Sequence, residues 1–318
     1  MLRSQKIQVS TATRSRTDVL KFKPLTIQAI PQIKALLEMA HTRSCDYTIG
    51  GLYMWTGLYQ YEYCIYAGTL FIKGLNEDGS GSTAFAVPVG ALSLDTSFGL
   101  LKKYAAEQNI PLIFSAVPEE YLNALSCLGT CTVTELTDLA DYIYDSQALA
   151  TLTGKHYNKK RNHVNRFVSD NPDYTLEEIK PDNISELTGF LRTLGIESDK
   201  VNPEMAEFEW KQCERVLNRY TDYPYIGALL RDNSGTVVAF TIGELSGDTL
   251  VLHIEKAEHL IPGSGESINR FFAEYITQRY PQIKFINRED CAGDPGLRFA
   301  KESYHPIQLL KKYNVQFK

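Results

Sequence analysis

The sequence predicts an α/β chain of two similar domains in tandem, each a mixed, mostly antiparallel sheet flanked by helices. Three observations carry this. At 318 residues the chain exceeds one ordinary compact domain. Strand-sized apolar runs alternate with stretches of helical periodicity along its whole length. The element order of residues 21–150 returns, with clearer punctuation, in residues 151–318, while residues 1–20, with basic and many Ser/Thr residues, read as a flexible lead-in.

In the first half, Phe22 to Thr26 has the makings of a short strand, and Ile30, Ile33, Leu36 and Leu37 recur at helical spacing before an aromatic segment from Tyr47 to Tyr63. The run EYCIYAGTLFIKG is β-branched and aromatic on both sides of Ala67-Gly68, which predicts a hairpin; Gly79 to Ser82 then turns the chain into TAFAVPVG. A helix near Phe98 to Gln108, the strand LIFSAV, a short helix over Glu119 to Leu128, and the strands TVTEL and DYIYD follow. In the second half, YTLEEI is a strand, Ile184 to Leu194 and Pro203 to Tyr220 are helices, and YIGALLRD, TVVAFTIGEL and TLVLHIEKA form an antiparallel meander. Its turns, at Asn233-Ser234-Gly235 and Gly247-Asp248, hold residues that tolerate positive φ. A helix from about Glu266 to Tyr280, the strand KFIN, a helix from Pro295 to Ser303 and a terminal strand KYNVQF complete the half.

No stretch approaches the roughly 20 apolar residues that span a bilayer, and the amino terminus lacks the apolar core of a secretory signal, so a cytoplasmic protein is expected. The six cysteines are scattered without metal-ligand spacing, which fits reduced thiols and no metal site. A net charge of -5 argues against wholesale coating of nucleic acid and leaves room for a local basic patch.

Such a patch occurs between the halves. Residues Ser146 to Ser169 contain no acid, and Lys155, Lys159, Lys160, Arg161 and Arg166 are candidates for binding phosphates of tRNA, a nucleotide or a lipid head group. On a helix, Lys155, Lys159, Asn162 and Arg166 would form one stripe with Tyr157, Val164 and Val168 opposite; a solvated helix joining two domains is the plainer alternative.

The order of elements is similar to the GCN5-related N-acetyltransferase fold. Gly263, Ser264 and Gly265 open a helix after the strand TLVLHIEKA, where free amides could hold an anion. In that family the corresponding Gln/Arg-x-x-Gly-x-Gly/Ala pattern binds coenzyme A; here the glycines match, but Leu260 stands at the Gln/Arg position. On TLVLHIEKA the period of two places His253 and Glu255 on one face and Leu252 and Ile254 on the other. KFINRED adds Asn287, Arg288 and Glu289. Acyl transfer needs a base and an oxyanion donor, roles open to Glu255 or His253 and to Asn287 or Arg288. A salt-linked strand with a core histidine is the plainer alternative.

Four segments, DYTIGGLYMW, KHYNKKRNHVNRF, VVAFTIGE with VLHIEKA, and INREDCAGDPGLRFAKESYHP, resemble stand-alone bacterial proteins grouped with the carboxy-terminal domain of phosphatidylglycerol lysyltransferase. The resemblance implies tandem acetyltransferase-like domains and aminoacyl transfer from charged tRNA. It carries Arg298 and Lys301, within the Gly296-Leu297-Arg298, Lys301 and Pro306 pattern, as donor or phosphate contacts. The expected activity is therefore aminoacyl transfer from aminoacyl-tRNA to a small-molecule, peptide or lipid head-group acceptor with no metal. A coenzyme A-dependent N-acyltransferase and a non-catalytic binding protein are the alternatives.

Overall fold

The computed structural model describes residues 20–195 and 203–318; of the expected lead-in, residues 1–19 lie outside this range. The first half runs β1 (Lys23–Pro24), α1 (Ile30–Leu37), α2 (Ile49–Tyr59), β2 (Glu62–Tyr66), β3 (Thr69–Leu75), β4 (Thr83–Phe85), β5 (Val89–Gly90), α3 (Leu94–Gln108), β6 (Ile113–Pro118), α4 (Glu119–Ser126), β7 (Cys131–Glu135) and β8 (Asp141–Asp145). Two junction helices follow, α5 (Ser146–Thr151) and α6 (Asn158–Asp170). The second half is β9 (Thr175–Glu178), α7 (Ile184–Leu194), α8 (Pro203–Asn218), β10 (Tyr225–Arg231), β11 (Val237–Ser246), β12 (Thr249–Ala257), α9 (Ser264–Arg279), β13 (Phe285–Asn287), α10 (Pro295–Glu302), β14 (Gln308–Leu310) and β15 (Lys312–Phe317).

Local chemistry sets many of these boundaries. Ala67 and Gly68 both take positive φ (48° and 70°), so the two-residue turn matches the twist of β2 and β3. Ser93 caps α3 by accepting from Thr96 N, and Asp294 caps α10 with Pro295 in the first turn, where a missing amide hydrogen costs nothing. Among the described residues no helix is long and apolar enough to cross a membrane.

The strands form two mixed, mostly antiparallel sheets, as the sequence predicts. The first has the order β1-β2-β3-β4-β6-β15-β7, with β5 on β3; the second is β14-β8-β13-β12-β11-β10-β9. Strand order differs from chain order in one respect that periodicity does not reveal. β8, before residue 150, pairs with β13 and β14 in the second sheet, and β15, the last strand, pairs with β6 and β7 in the first. The departure of β8 leaves a slot that β15 fills, and Tyr313, Val315 and Phe317 join the first hydrophobic core. Two further cores sandwich the second sheet: one under α5, α6 and α9, the other under α7 and α8. Each sheet is therefore completed by a strand from the other half.

Candidate active site in the second half

The meander brings β12 back alongside β11, and β13 then pairs with β12 in parallel through only three residue pairs, Thr249–Phe285 to Val251–Asn287. Past Val251, β12 continues to Ala257 on β11 alone, so the sheet splays open where the charged residues lie. The register with β11 passes from Gly243–Leu252 to Ile242–Ile254, leaving His253 as an inserted residue. Such a bulge turns two consecutive side chains to one side. Leu252 consequently packs under α9 and Ile254 under α7 and α8. The strict alternation expected for this strand fails here, and His253 and Glu255 leave opposite faces of the sheet.

Glu255 turns toward α9: its Oε2 accepts from Asn269 Nδ2 at 3.0 Å, and Arg288 Nη2 donates to its Oε1 at 2.8 Å. The Arg288 guanidinium stacks 4.7 Å from the ring centre of Tyr304, and its Nη1 is buried with no hydrogen-bond partner among the described residues. His253 is sealed, its side chain 0% exposed, with Nδ1 2.7 Å from Glu289 Oε1 and Nε2 3.7 Å from Glu244 Oε2. The first contact is a hydrogen bond; the second is an ion pair too long to be one. Burial alone would lower the imidazole pKa, but the two carboxylates outweigh it and raise it to about 9. A cleft of about 560 Å³ opens along this edge, with Glu255, Arg288 and Glu289 on its polar side and Trp55 of α2 and Trp210 of α8 on its apolar side. A separate cavity of about 470 Å³ is lined by His41, Arg43 and Asp248, away from these groups.

Two sequence-predicted residues spend their donors inside the protein. Asn287 is fully buried; its Nδ2 donates to Arg43 O at 2.7 Å and Asp141 Oδ2 at 2.8 Å, and its Oδ1 accepts from Glu289 N at 2.7 Å. Both amide hydrogens are spent, so Asn287 has none left for an oxyanion. Lys301 is 7% exposed and donates to the carbonyls of Arg288, at 2.6 Å, and of Asp290. Burial lowers its pKa, and it pins the loop that carries Arg288 and Glu289. Glu289 adopts φ 57°, a conformation that non-glycine residues seldom hold outside constrained sites.

The Gly263-Ser264-Gly265 turn does open α9, but it is covered. A Cβ on Gly263, whose φ is 81°, would lie 2.2 Å from His163 O of α6, and Ser264 Oγ donates to Glu258 O at 2.9 Å. Glu266 in the first turn pairs with Lys160 at 3.6 Å. Gly263 is thus packed against α6, and Glu266 adds a carboxylate to the first turn, which disfavours an anion there. Arg298 pairs with Asp138 at 2.7 Å on the surface, away from the Gly263 turn.

The basic junction is half of what the periodicity suggests. Lys159, Asn162 and Arg166 are exposed on α6, and Tyr157, Val164 and Phe167 are buried behind them. Lys155 is exposed in the turn before the helix. Lys160 instead lies 4.0 Å over the Tyr304 ring, and Arg161 donates to the carbonyls of Leu152 and Gly154 and to Asn158. The exposed cations of this segment are Lys155, Lys159 and Arg166, the last 3.6 Å from Asp170.

Behind the cleft lies a polar knot that sequence reasoning missed. Lys312, on the exchanged strand β15, sits 2.8 Å from Asp46 Oδ2, 2.8 Å from Asp141 Oδ1 and 3.3 Å from Cys45 Sγ. Cys45, Asp141 and Asp290 also place ligand atoms within 4.8 Å of one another, as metal ligands would. The Lys312 ammonium already supplies the cation beside Asp141 and Cys45, so this set does not fit a metal ion. Burial, followed by Asp141 and Asp46, pushes the Cys45 pKa well up, which keeps it a thiol rather than a ligand thiolate. Glu244 and Gly50 were missed as well; neither has a local motif, since both act on partners about 200 residues away.

A family model described as phosphatidylglycerol lysyltransferase, C-terminal, matches residues 37–316. A conserved protein of unknown function from Bacteroides thetaiotaomicron is 31% identical, with a TM-score of 0.86 over 94% of this chain and 100% of that one. L-PGS from Bacillus licheniformis superposes with a TM-score of 0.60 at 16% identity, covering 91% of each chain. The C-terminal domain of a lysylphosphatidylglycerol synthetase from Agrobacterium fabrum gives 0.64 at 14% identity over 92% of each. These last two show a shared fold. An uncharacterized protein of Mycoplasmoides gallisepticum is 19% identical over 177 residues, covering 55% of this chain and 56% of its own length.

Proposed function

The chain belongs to the phosphatidylglycerol lysyltransferase C-terminal family, and from that premise we propose that it is an acyltransferase moving an aminoacyl group from aminoacyl-tRNA to an amine or hydroxyl acceptor. The observation that carries the reading is the splayed edge of β12 and β13, which presents Glu255, Arg288 and Glu289 along one wall of a 560 Å³ cleft. The acceptor nitrogen or oxygen would attack the ester carbonyl carbon and form a tetrahedral oxyanion. Arg288, a cation in the cleft lining whose Nη1 has no protein partner among the described residues, would stabilise that charge. Glu289, at 15% side-chain exposure, is a cleft carboxylate able to take the acceptor proton. As the oxyanion collapses, the C–O bond to the terminal ribose breaks and its oxygen receives the proton that Glu289 took from the acceptor. The ester is already activated, so positioning and charge stabilisation are what the protein has to supply.

The exposed stripe of Lys155, Lys159 and Arg166 would meet phosphates of the carrier. A coenzyme A donor has less support, because the Gly263 turn is closed by His163 and lacks the expected Gln or Arg at Leu260.

The test is transfer of a radiolabelled aminoacyl group from charged tRNA to amine, peptide and lipid acceptors. Wild type is expected to transfer and Glu289→Gln to lose at least about 100-fold, the usual scale for a general base. Replacing Lys155, Lys159 and Arg166 with Ala is expected to weaken tRNA binding and flatten its salt dependence by about two to three in the log–log slope. Absence of transfer from every charged tRNA, alongside tight binding of acetyl coenzyme A, would overturn the proposal.

A further inference from the structure

The most unusual charges in the second half are those the substrate cannot reach. Glu244 is 4% exposed, yet as a carboxylate on β11 it faces no Lys or Arg within ion-pair distance among the described residues. Its compensation is the amino terminus of α2, from the other half of the chain: Ile49 N donates to Oε1 at 3.2 Å and Gly50 N to Oε2 at 2.9 Å. Amides at the start of a helix of this length are suited to an anion by both hydrogen bonding and dipole. The same helix start presses on His253, since a Cβ on Gly50 would lie 2.1 Å from His253 Nε2. His253 is thus held between Glu244 behind it and Glu289 in front, on the cleft side.

We propose that Glu244, His253 and Glu289 form a buried carboxylate–imidazolium–carboxylate array, and that Glu244 and His253 are positioning residues that aim Glu289 into the cleft. The proposal rests on the transferase reading for its catalytic meaning, but its geometry stands apart from it. Glu244 keeps His253 charged, and the charged ring fixes one oxygen of Glu289 through Nδ1–H. The other oxygen is left for substrate, and a positive charge is held near the place where the oxyanion forms. In the wild type the direction fits: the carboxylates prevail over burial and hold the imidazole proton to about pH 9.

Among the described residues, no other titratable group nearby offers the ring a further anion or Glu244 a cation. Tyr225 of β10 lies 5.8 Å away between ring centres, and burial, then Glu244, pushes its pKa well up, so it stays neutral. Arg215 of α8 is engaged by the Tyr53 carbonyl. Lys301, on α10, is engaged by the carbonyls of the 288–290 loop. Because α2 belongs to the first half, the array also makes the second half's cleft dependent on the first.

The experiment follows the His253 imidazole by NMR in protein with isotope-labelled histidine, assigned by comparison with His253→Gln, alongside the pH profile of kcat for transfer. Wild type is expected to titrate near pH 9, and Glu244→Gln one to three units lower, the usual effect of one nearby opposite charge. The alkaline limb of kcat should move down by the same amount, with KM for the acceptor within about twofold. Glu289→Gln should lower the titration too, which keeps the test available if Glu244→Gln does not fold. A wild-type titration at or below the ordinary histidine value of about 6.5 overturns the array outright. A titration that shifts as expected while the alkaline limb stays fixed overturns the positioning role. Transfer that is absent in wild type, with the imidazole behaving as expected, instead sinks the transferase reading and leaves the array standing.

Discussion

Replacing Lys312 with Met tests how the two halves are joined. The ammonium is 1% exposed and compensates Asp141, which is 0% exposed, and Asp46. Burial alone would lower the Lys312 pKa, but Asp141 and Asp46 hold it well above the ordinary lysine value, so the cation persists across the working range. Methionine fills nearly the same volume, so lost packing contributes little. What remains is a buried carboxylate whose charged partner is gone, and such a loss costs about 3–5 kcal/mol. Asp141 retains three neutral donors, Cys45 N at 2.9 Å, Cys45 Sγ at 3.3 Å and Asn287 Nδ2 at 2.8 Å, which places the expectation toward the lower end, about 3 kcal/mol. The measurement is urea unfolding at pH 7 followed by tryptophan fluorescence, which reports Trp55 of the first half and Trp210 of the second. The pair Lys312→Met with Asp141→Asn should recover about 1 kcal/mol or more over additivity, since it removes the orphaned charge. A single-variant loss under about 1 kcal/mol, or strict additivity in the pair, would refute the view that this knot is electrostatically coupled.

Gly50→Ala should displace the His253 ring, because the added methyl has no room beside Nε2. The expected result is a destabilisation of about 1–3 kcal/mol and a moved His253 resonance; an unperturbed resonance would refute the close approach. Stability should also depend on pH through His253. Its folded pKa, about 9, lies above the unfolded value of about 6.5, so the native state binds more protons between the two. The contribution is full below pH 6.5 and is lost as pH rises through 9, on the order of 3 kcal/mol. Unfolding free energies of wild type and His253→Gln, compared at pH 6 and pH 10, measure it as the change in their difference, and a constant difference would refute it.

Periodicity and turn chemistry made most elements legible, because these are local signals. Ala67-Gly68, Asn233-Ser234-Gly235 and Gly247-Asp248 mark turns that the structure contains, and the alternation of strands and helices gave both sheets. What local signals do not encode is which sheet a strand joins. DYIYD and KYNVQF read as strands, but their exchange brings together residues such as Asp141 and Lys312, 171 positions apart in the chain. The bulge at His253 was hidden for a related reason. Nothing in TLVLHIEKA announces an inserted residue; it is imposed by the fit of Glu244, Gly50 and Glu289 around the ring. Glu255, Arg288 and His253 stood out in the sequence because they are polar groups gathered near the ends of two apolar strands. Asn287 was singled out by its place at the end of KFIN and Lys301 by the family resemblance, yet in each the donors are spent on backbone and neighbours within the protein.

The open site lies in one half although each sheet contains a parallel pair, and the difference lies in what fills the gap. In the first sheet β4 and β6 meet in parallel only at Phe85–Phe114, the counterpart of the short β12–β13 pairing. There the Tyr61 ring packs against Gly74, where a Cβ would lie 2.6 Å from it, and its hydroxyl meets Glu77 Oε1 at 2.9 Å. Asn76, Ser115 and Asn314 close the rest with hydrogen bonds of 2.8 Å, leaving about 30 Å³, room for one water. Burial, with Asp46 adding to it, lifts the Glu77 carboxyl to about 8. In the second sheet the equivalent opening carries ionised partners and two tryptophans at its margin instead of a plug. The same strand geometry therefore yields a filled gap where an aromatic ring occupies the splay, and an open cleft where Glu289 and Arg288 border it.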